Sequence, residues 1–197
     1  MSQGLYVIKK HNIILIAAGH GERYRKAGGA GNKLDQIING VTVFERALIN
    51  AKESGLKILV VTRPEYKSII DICEQKKVPF TCLASSGMGE SIAHGVLMTK
   101  DADGWIIALA DMPYVKSSFY IEVSNYLEKY IVCRPFYNNT PGHPVGFNRS
   151  VYHELIGLKN ETGASNISKH HNAIKIQCND PGVTIDVDFP LENEILN

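Results

Sequence analysis

The residues of this chain whose types and spacing could carry chemistry are two glycine-rich segments, two flanking cations and three aspartates. Gly19-His20-Gly21-Glu22-Arg23 is followed by Lys26-Ala27-Gly28-Gly29-Ala30-Gly31-Asn32-Lys33. Glycines in a turn let backbone N–H groups approach phosphate oxygens without obstruction by side chains. Arg23 and Lys33 bracket a long polar loop that could fold over a triphosphate and neutralise the charge developing on pyrophosphate. A flexible surface loop is the plain alternative. Two other phosphate motifs fail here. A dinucleotide fingerprint needs a third glycine where Tyr24 stands, and a Walker A loop needs Gly-Lys-Ser/Thr, whereas Asn32 and Leu34 flank Lys33.

Asp111 directly follows the apolar run Trp105 to Ala110 and precedes Met112-Pro113. In open α/β sheets ligands bind outside the carboxyl ends of strands, so an aspartate there faces the site. Pro113 stops the strand. A carboxylate at that point suits magnesium, a hard cation that bridges substrate phosphates. Ligation is favoured over a helix N-cap, because Asp111 stands early for a helix starting near Ser117. Asp186 and Asp188 close another apolar run; one of them could complete a magnesium site with Asp111, or both could simply be solvated. Gly87-Met88-Gly89-Glu90-Ser91 lies between a strand and a helix, where backbone must approach something closely, although short glycine turns are common there. His143, fenced by Pro141, Gly142 and Pro144, is held rigidly enough for substrate contact. A turn histidine fits it equally well. His170 and His171 read as an exposed helix end rather than as metal ligands.

Apolar and amphipathic runs alternate, the pattern of a parallel sheet covered by helices. Strands are expected at Asn12 to Ala18, Lys57 to Thr62, Pro79 to Leu83 and Trp105 to Ala110. Helices are expected at Val41 to Ser54, stopped by Gly55, and at Glu65 to Gln75, Glu90 to Lys100 and Ser117 to Tyr130. Short strands follow at Ile131 to Pro135, Val145 to Phe147, Ile174 to Cys178 and Val183 to Val187, with a helical Arg149 to Leu158 among them. No internal repeat or low-complexity tract interrupts this order. One α/β domain spanning 1–197 is the expectation.

The composition, 44% hydrophobic and 21% charged, is that of an ordinary globular protein. Net charge is +1 with the signs interspersed, so no electrostatic footprint points to a nucleic-acid or membrane partner. Four scattered cysteines (Cys73, Cys82, Cys133, Cys178) form no CxxC pair and read as buried thiols in a reducing cytosol. Met1 to His11 has no long apolar core and no small-residue cleavage site, so it does not read as a signal peptide. No apolar run approaches the ~20 residues that span a bilayer. The expected location is cytoplasmic.

Taken in order, IAAGHGER with Lys33 downstream, GMGESIAHG, ALADMP, RP followed by PGHPVGF, and IDVDFP resemble the MobA-like nucleotidyltransferases. The molybdenum cofactor cytidylyltransferase branch resembles the chain most. The match runs from residue 16 to residue 190. The resemblance implies a three-layer, mostly parallel, Rossmann-like nucleotidyltransferase (glycosyltransferase-A-like) fold. It also implies that Ala17, Ala18, Gly19, Gly21, Arg23 and Lys33 form the triphosphate loop and that Gly87 and Gly89 form the turn approaching the nucleotide. By the same resemblance Asp111 and Asp188 ligate magnesium, and Arg134 and His143 face the acceptor. The Ala-Ala-Gly opening resembles CTP-using members more than GTP-using ones. The implied acceptor is the molybdopterin cofactor, and a molybdoenzyme receiving it is the implied protein partner.

Three departures stand out. Tyr24-Arg25 replaces the usual Met-Gly, and the insert Lys26 to Asn32 delays Lys33. Phe189 replaces a threonine, and the Gly-Asp-Xaa-Gly-Ala element appears as Asn160-Glu161-Thr162-Gly163-Ala164. The expected reaction is in-line attack of an acceptor phosphate on the α-phosphorus of CTP. Transfer to a sugar or alcohol phosphate, a non-catalytic nucleotide-binding protein and a Rossmann oxidoreductase are the rival readings; the missing third glycine argues against the last.

Overall fold

The computed structural model describes residues 11–191, so the signal-peptide expectation for Met1 to His11 falls outside it except at its last residue. The first strand, β1 (His11–Ala17), is apolar from Ile13 onward because both of its faces are covered there. Ile13, Leu15 and Ala17 enter one core layer, and Ile14 enters the other with Ile16. The chain then forms α1 (Glu22–Lys26), a 3-10 turn at Lys33–Asp35, and the small hairpin β2 (Ile37–Ile38) and β3 (Val41–Thr42). Helix α2 (Val43–Glu53) buries Val43, Phe44, Ala47, Leu48 and Ala51, and the Glu45 N–H donates to the Thr42 hydroxyl at its start. Gly55, at φ 72°, follows it.

There follow β4 (Lys57–Thr62), α3 (Lys67–Gln75), β5 (Phe80–Cys82), α4 (Met88–Met98), β6 (Gly104–Leu109) and α5 (Ser117–Tyr126). The C-terminal third holds β7 (Val132–Tyr137), β8 (Thr140–Pro141), β9 (Val145–Asn148), α6 (Tyr152–Ile156), α7 (Ser165–His170) and β10 (Ile174–Cys178). The main sheet runs β10-β7-β9-β6-β1-β4-β5, with β8 paired to β7. Only β9 and β8 pair antiparallel to their neighbours in it. Helices α2, α3 and α5 supply one core layer, and α4, α6 and α7 the other. The fold is therefore the expected three-layer, mostly parallel α/β arrangement.

The differences have local causes. Val41 and Thr42 pair with β2 instead of joining α2, and α5 ends at Tyr126 rather than Tyr130. Arg149 to Leu158 divides into a 3-10 turn at Arg149–Val151 and the short α6. The strand expected at Val183 to Val187 is absent: Pro181–Thr184 is a 3-10 turn. Pro181 has no N–H for a ladder, and the Asp180 carboxylate accepts from the Gly182 N–H at 2.8 Å, which starts the turn.

Strands β5, β4 and β1 run to one side while β6 lies on the other side of β1, so the strand order reverses between β1 and β6. Crevices for ligands form outside the carboxyl ends of strands at such a reversal. The loop after β1 begins at Ala18 and the turn after β6 carries Asp111, so the topology brings the two motifs together. Among the described residues no helix is long and apolar enough to cross a membrane.

Helix α4 sits directly on β1 and β4 because Gly95 has no side chain there. A Cβ at Gly95 would stand 2.4 Å from Cγ2 of Ile14 and 2.9 Å from Cγ2 of Val61. Gly95→Ala is expected to destabilise the fold by about 1–3 kcal/mol, the cost of overpacking a core. Urea unfolding measures this, and an unchanged midpoint would mean that α4 can lift without cost.

Candidate active site

Past Ala17 the chain turns through Gly19 and Gly21, and Gly21 takes the left-handed φ of 65° that favours glycine. Arg23 projects from α1, so the first part of the expected polar loop is helical. The insert folds back on the same helix. The Tyr24 hydroxyl donates to the Ala30 carbonyl at 3.2 Å, and the Gly29 N–H donates to the Tyr24 carbonyl at 3.0 Å. A Cβ on Gly29 would lie 2.4 Å from the Tyr24 ring, so only glycine lets the backbone reach it. The extra residues are thereby taken up, and Lys33 returns beside Gly21. On the outer side the Tyr66 hydroxyl donates to the Gly19 carbonyl at 2.9 Å and anchors the loop to the segment leading into α3.

Lys33 ends between two carboxylates. Its Nζ donates to Asp111 Oδ2 at 2.5 Å and to Asp188 Oδ1 at 2.8 Å. Arg23 Nη1 donates to the other oxygen of Asp188 at 2.7 Å. The Lys33 side chain is 12% exposed, whereas that of Arg23 is 77% exposed. Burial alone would lower the pKa of Lys33, but the Asp111 and Asp188 carboxylates outweigh it and hold the ammonium above the ordinary lysine value. Burial likewise works to raise Asp188, but the Lys33 and Arg23 hydrogen bonds hold its carboxyl below the usual range. Asp188 reaches this position because the Val187 N–H donates to the Asp111 carbonyl at 2.8 Å. Asp186 is exposed and forms no ion pair among the described residues. Desolvation, then the Asp188 and Asp111 charges, push its carboxyl upward.

These acids fit a hard divalent cation. The Asp111 Oδ1 atom is buried and has no hydrogen-bond partner among the described residues, so one carboxylate oxygen remains available. Among the described residues no group of three or more His, Cys, Asp or Glu side chains could hold a metal. Two carboxylates with phosphate and water completing the shell are the donor set that magnesium accepts.

A cavity of about 360 Å³ is lined by Lys33, Ala18, Gly19, Gly21, Arg23, Gly87 and Asp188, together with Tyr24, Met88, Ser91 and Glu161, while Asp111 is not among its lining residues. Ala17 and Gly89 do not line it. Ala17 is buried in the sheet. Gly89 is packed beneath the 159–162 segment: its N–H donates to the Asn160 carbonyl at 2.9 Å, and a Cβ would meet the Thr162 carbonyl at 2.5 Å. Gly87 meets Asn160 backbone in the same way, at 2.4 Å. The close approach that demands glycine in this turn is thus to the chain's own backbone. Ser91, Glu161 and Tyr24 were missed as lining residues. The departure from Gly-Asp-Xaa-Gly-Ala was the one signal that could have drawn attention to Glu161.

Arg134 and His143 lie together in an adjoining cavity of about 280 Å³ that shares Met88 with the first. Arg134 donates from Nε and Nη2 to the Gly142 carbonyl at 3.0 and 2.8 Å. The Gly142 N–H donates to the Pro135 carbonyl and the His143 N–H to the Val183 carbonyl, each at 2.8 Å. Burial first, then the Arg134 charge, pushes the pKa of His143 down to about 4, with the Ile107 backbone acting the other way. His143 is therefore neutral at pH 7. His171 lies away from both cavities, with its Nε2 2.7 Å from Glu154.

The model of the MobA-like NTP transferase domain matches residues 13–174. No curated protein matches the chain. Among solved structures, Rv0371c from Mycobacterium tuberculosis H37Rv superposes with a TM-score of 0.78 at 18% identity, covering 92% of this chain and 93% of that one. Its complex with manganese gives 0.75 at 16% identity, covering 95% of each. A nucleotidyl transferase from Methanothermobacter thermautotroptrophicus gives 0.77 at 16%, covering 91% and 92%. CMP:2-keto-3-deoxy-manno-octonic acid synthetase complexed with CTP gives 0.69 at 11%, covering 92% and 94%. At such identities these likenesses speak for the fold, whereas the domain match spans most of the sequence: the chain belongs to the family of MobA-like NTP transferases.

Proposed function

We propose that this protein transfers a cytidylyl group from CTP to the phosphate of a small molecule, with release of pyrophosphate. The acceptor we assign is the molybdopterin (molybdenum) cofactor, which a molybdoenzyme would then receive. The observation that carries the reading is the Lys33 ammonium between Asp111 and Asp188, beneath a glycine loop at the strand-order reversal. The Ala17-Ala18-Gly19 opening supports CTP through the family resemblance. The CTP and manganese complexes of the structural neighbours are consistent with a nucleotide and a divalent cation on this fold.

An oxygen of the acceptor phosphate attacks the α-phosphorus, a new P–O bond forms, and the bond from the α-phosphorus to the bridging oxygen of pyrophosphate breaks. The attacking phosphate monoester is already largely ionised near neutral pH, its second pKa being about 6, so no general base is required. Asp111 and Asp188 would hold a magnesium ion, which when bound would supply charge stabilisation at the reacting phosphate. Lys33 and Arg23 neutralise the charge that accumulates on pyrophosphate as it leaves. Arg23 is well placed for this because its exposed guanidinium gives up little when it turns from Asp188 to phosphate. Backbone of Gly19 and Gly21 would lie against the phosphates, and Gly87 and Met88 line the same cavity.

Lys33→Ala is expected to lower turnover about 10²-fold, in the range for loss of one charge-stabilising donor. Pyrophosphate release from CTP, with molybdopterin and then a sugar or alcohol phosphate as acceptor, measures the rate and identifies the acceptor. A rate near that of the wild type would remove Lys33 from the chemistry. Asp111→Asn is expected to abolish the part of the CTP-induced thermal stabilisation that depends on added magnesium or manganese. If that part survives intact, Asp111 is not a ligand. A protein that binds CTP with the cation yet releases no pyrophosphate with any acceptor would be a nucleotide-binding protein and not a transferase.

A further inference from the structure

The hydrogen bonds around Lys33 leave little of the two acids open. Its Nζ engages Oδ2 of Asp111 and Oδ1 of Asp188, and Arg23 engages Oδ2 of Asp188. Of the four carboxylate oxygens, only Oδ1 of Asp111 has no partner among the described residues, and that atom is buried. At this corner the nucleotide cavity meets the Lys33 side chain and Asp188, and Asp111 does not line it.

A divalent cation that ligates both acids needs their negative charge. Lys33 and Arg23 already offset that charge, and a second cation crowded against the same oxygens is repelled by the first. Lys33 and a divalent cation thus compete for one pair of carboxylates. The competitor can leave without moving the chain. The Lys33 carbonyl accepts from the Gln36 N–H and from the Gln36 side-chain amide, at 3.4 and 3.3 Å. With the backbone tethered there, rotation of a flexible four-carbon stem is all that exchange requires.

We propose that Lys33 is the internal counter-ion of the metal site: its ammonium holds the place of a divalent cation on Asp111 and Asp188 until a triphosphate draws it away. The inference rests on the nucleotide reading given above and makes tight cation binding conditional on nucleotide. A triphosphate in the cavity offers Lys33 and Arg23 new anionic oxygens. The three carboxylate oxygens they release then become available as ligands. Without nucleotide, a cation meets two acids that two bases have already neutralised.

The test uses the intact protein without nucleotide and manganese as the probe. Binding is followed by calorimetry and by loss of the free-ion paramagnetic resonance signal. Lys33→Met, which keeps a long stem and removes the charge, is expected to bind manganese at least ~10-fold more tightly than the wild type, the weight of one charge-assisted hydrogen bond. Lys33→Arg, which keeps a cation, is expected to show no such gain. Adding Asp111→Asn to Lys33→Met is expected to remove the gain, which places the ion on these acids. The wild type supplies a second readout, the acetylation of Lys33 by acetic anhydride followed by mass spectrometry. Labelling is expected to rise with added manganese and not with potassium chloride of equal ionic strength, because an amine freed from two carboxylates loses its proton more readily. Should Lys33→Met fail to fold, the labelling result decides alone. A manganese affinity in Lys33→Met no higher than that of the wild type, an equal gain in Lys33→Arg, a gain that persists with Asp111→Asn, or labelling indifferent to manganese would overturn the proposal. The two readings fail separately. A manganese gain with no pyrophosphate released by the wild type keeps the exchange and loses the transferase, whereas pyrophosphate release with no manganese gain loses only the exchange.

Discussion

Two ionised carboxylates crowded into one corner of a protein repel each other unless a proton or a cation offsets the charge. Asp111 and Asp188 share such a corner, and Lys33 is the cation. The three residues are 78 and 155 positions apart in sequence, so the arrangement is a demand on the whole fold. Strand β6 must end one residue before the acid turn, the loop after β1 must return its lysine across the strand reversal, and the C-terminal segment must come back over both. The Val187–Asp111 backbone hydrogen bond is the point at which the last of these is secured.

The balance of burial around this triad is informative. Lys33 is nearly enclosed and is held by hydrogen bonds to two acids. Arg23 lies in water, and its ion pair adds little to stability. One cation is enclosed and the other is exposed, a useful division when charge appears on a departing group. The two cavities divide in a similar way. The one beneath the glycine loop mixes acids and bases, and its neighbour sets a single guanidinium and no acid among mostly apolar residues, His143 and two serines.

Much of this was legible in the sequence. Strands β1, β4 and β6 announced themselves because burial on both faces forces an unbroken apolar run, and Asp111 was marked by its place directly after one of them. The cations and acids of the triad could be named by residue type. Residue pattern alone left Asp186 and Asp188 open and the family resemblance picked Asp188, which is the one hydrogen-bonded to Lys33 in the fold. Glycine patterns were read less well. Gly87 and Gly89 looked like an approach to ligand, but the contact that excludes a Cβ is to the 159–162 segment. The turn at Pro181–Thr184 replaced a strand for want of an N–H, and the burial of His143 depended on Ile107 of β6 and on Val183, which both lie far from it in sequence. Contacts such as Tyr24 on Gly29 and Tyr66 on Gly19 leave no periodic trace, since each joins an ordinary tyrosine to a backbone position that only the folded chain defines.

The Tyr24 contact on Gly29 folds the insert between the two cations back onto α1, and Lys33 still returns beside Gly21. The surplus chain bulges outward through Gly28 and Gly31, both with positive φ and both with open space where a side chain would go. The bulge is thus a natural graft point: a fluorescent tag or an epitope spliced in at Gly28 would ride outside the lysine–arginine frame and report on the loop without altering its grip.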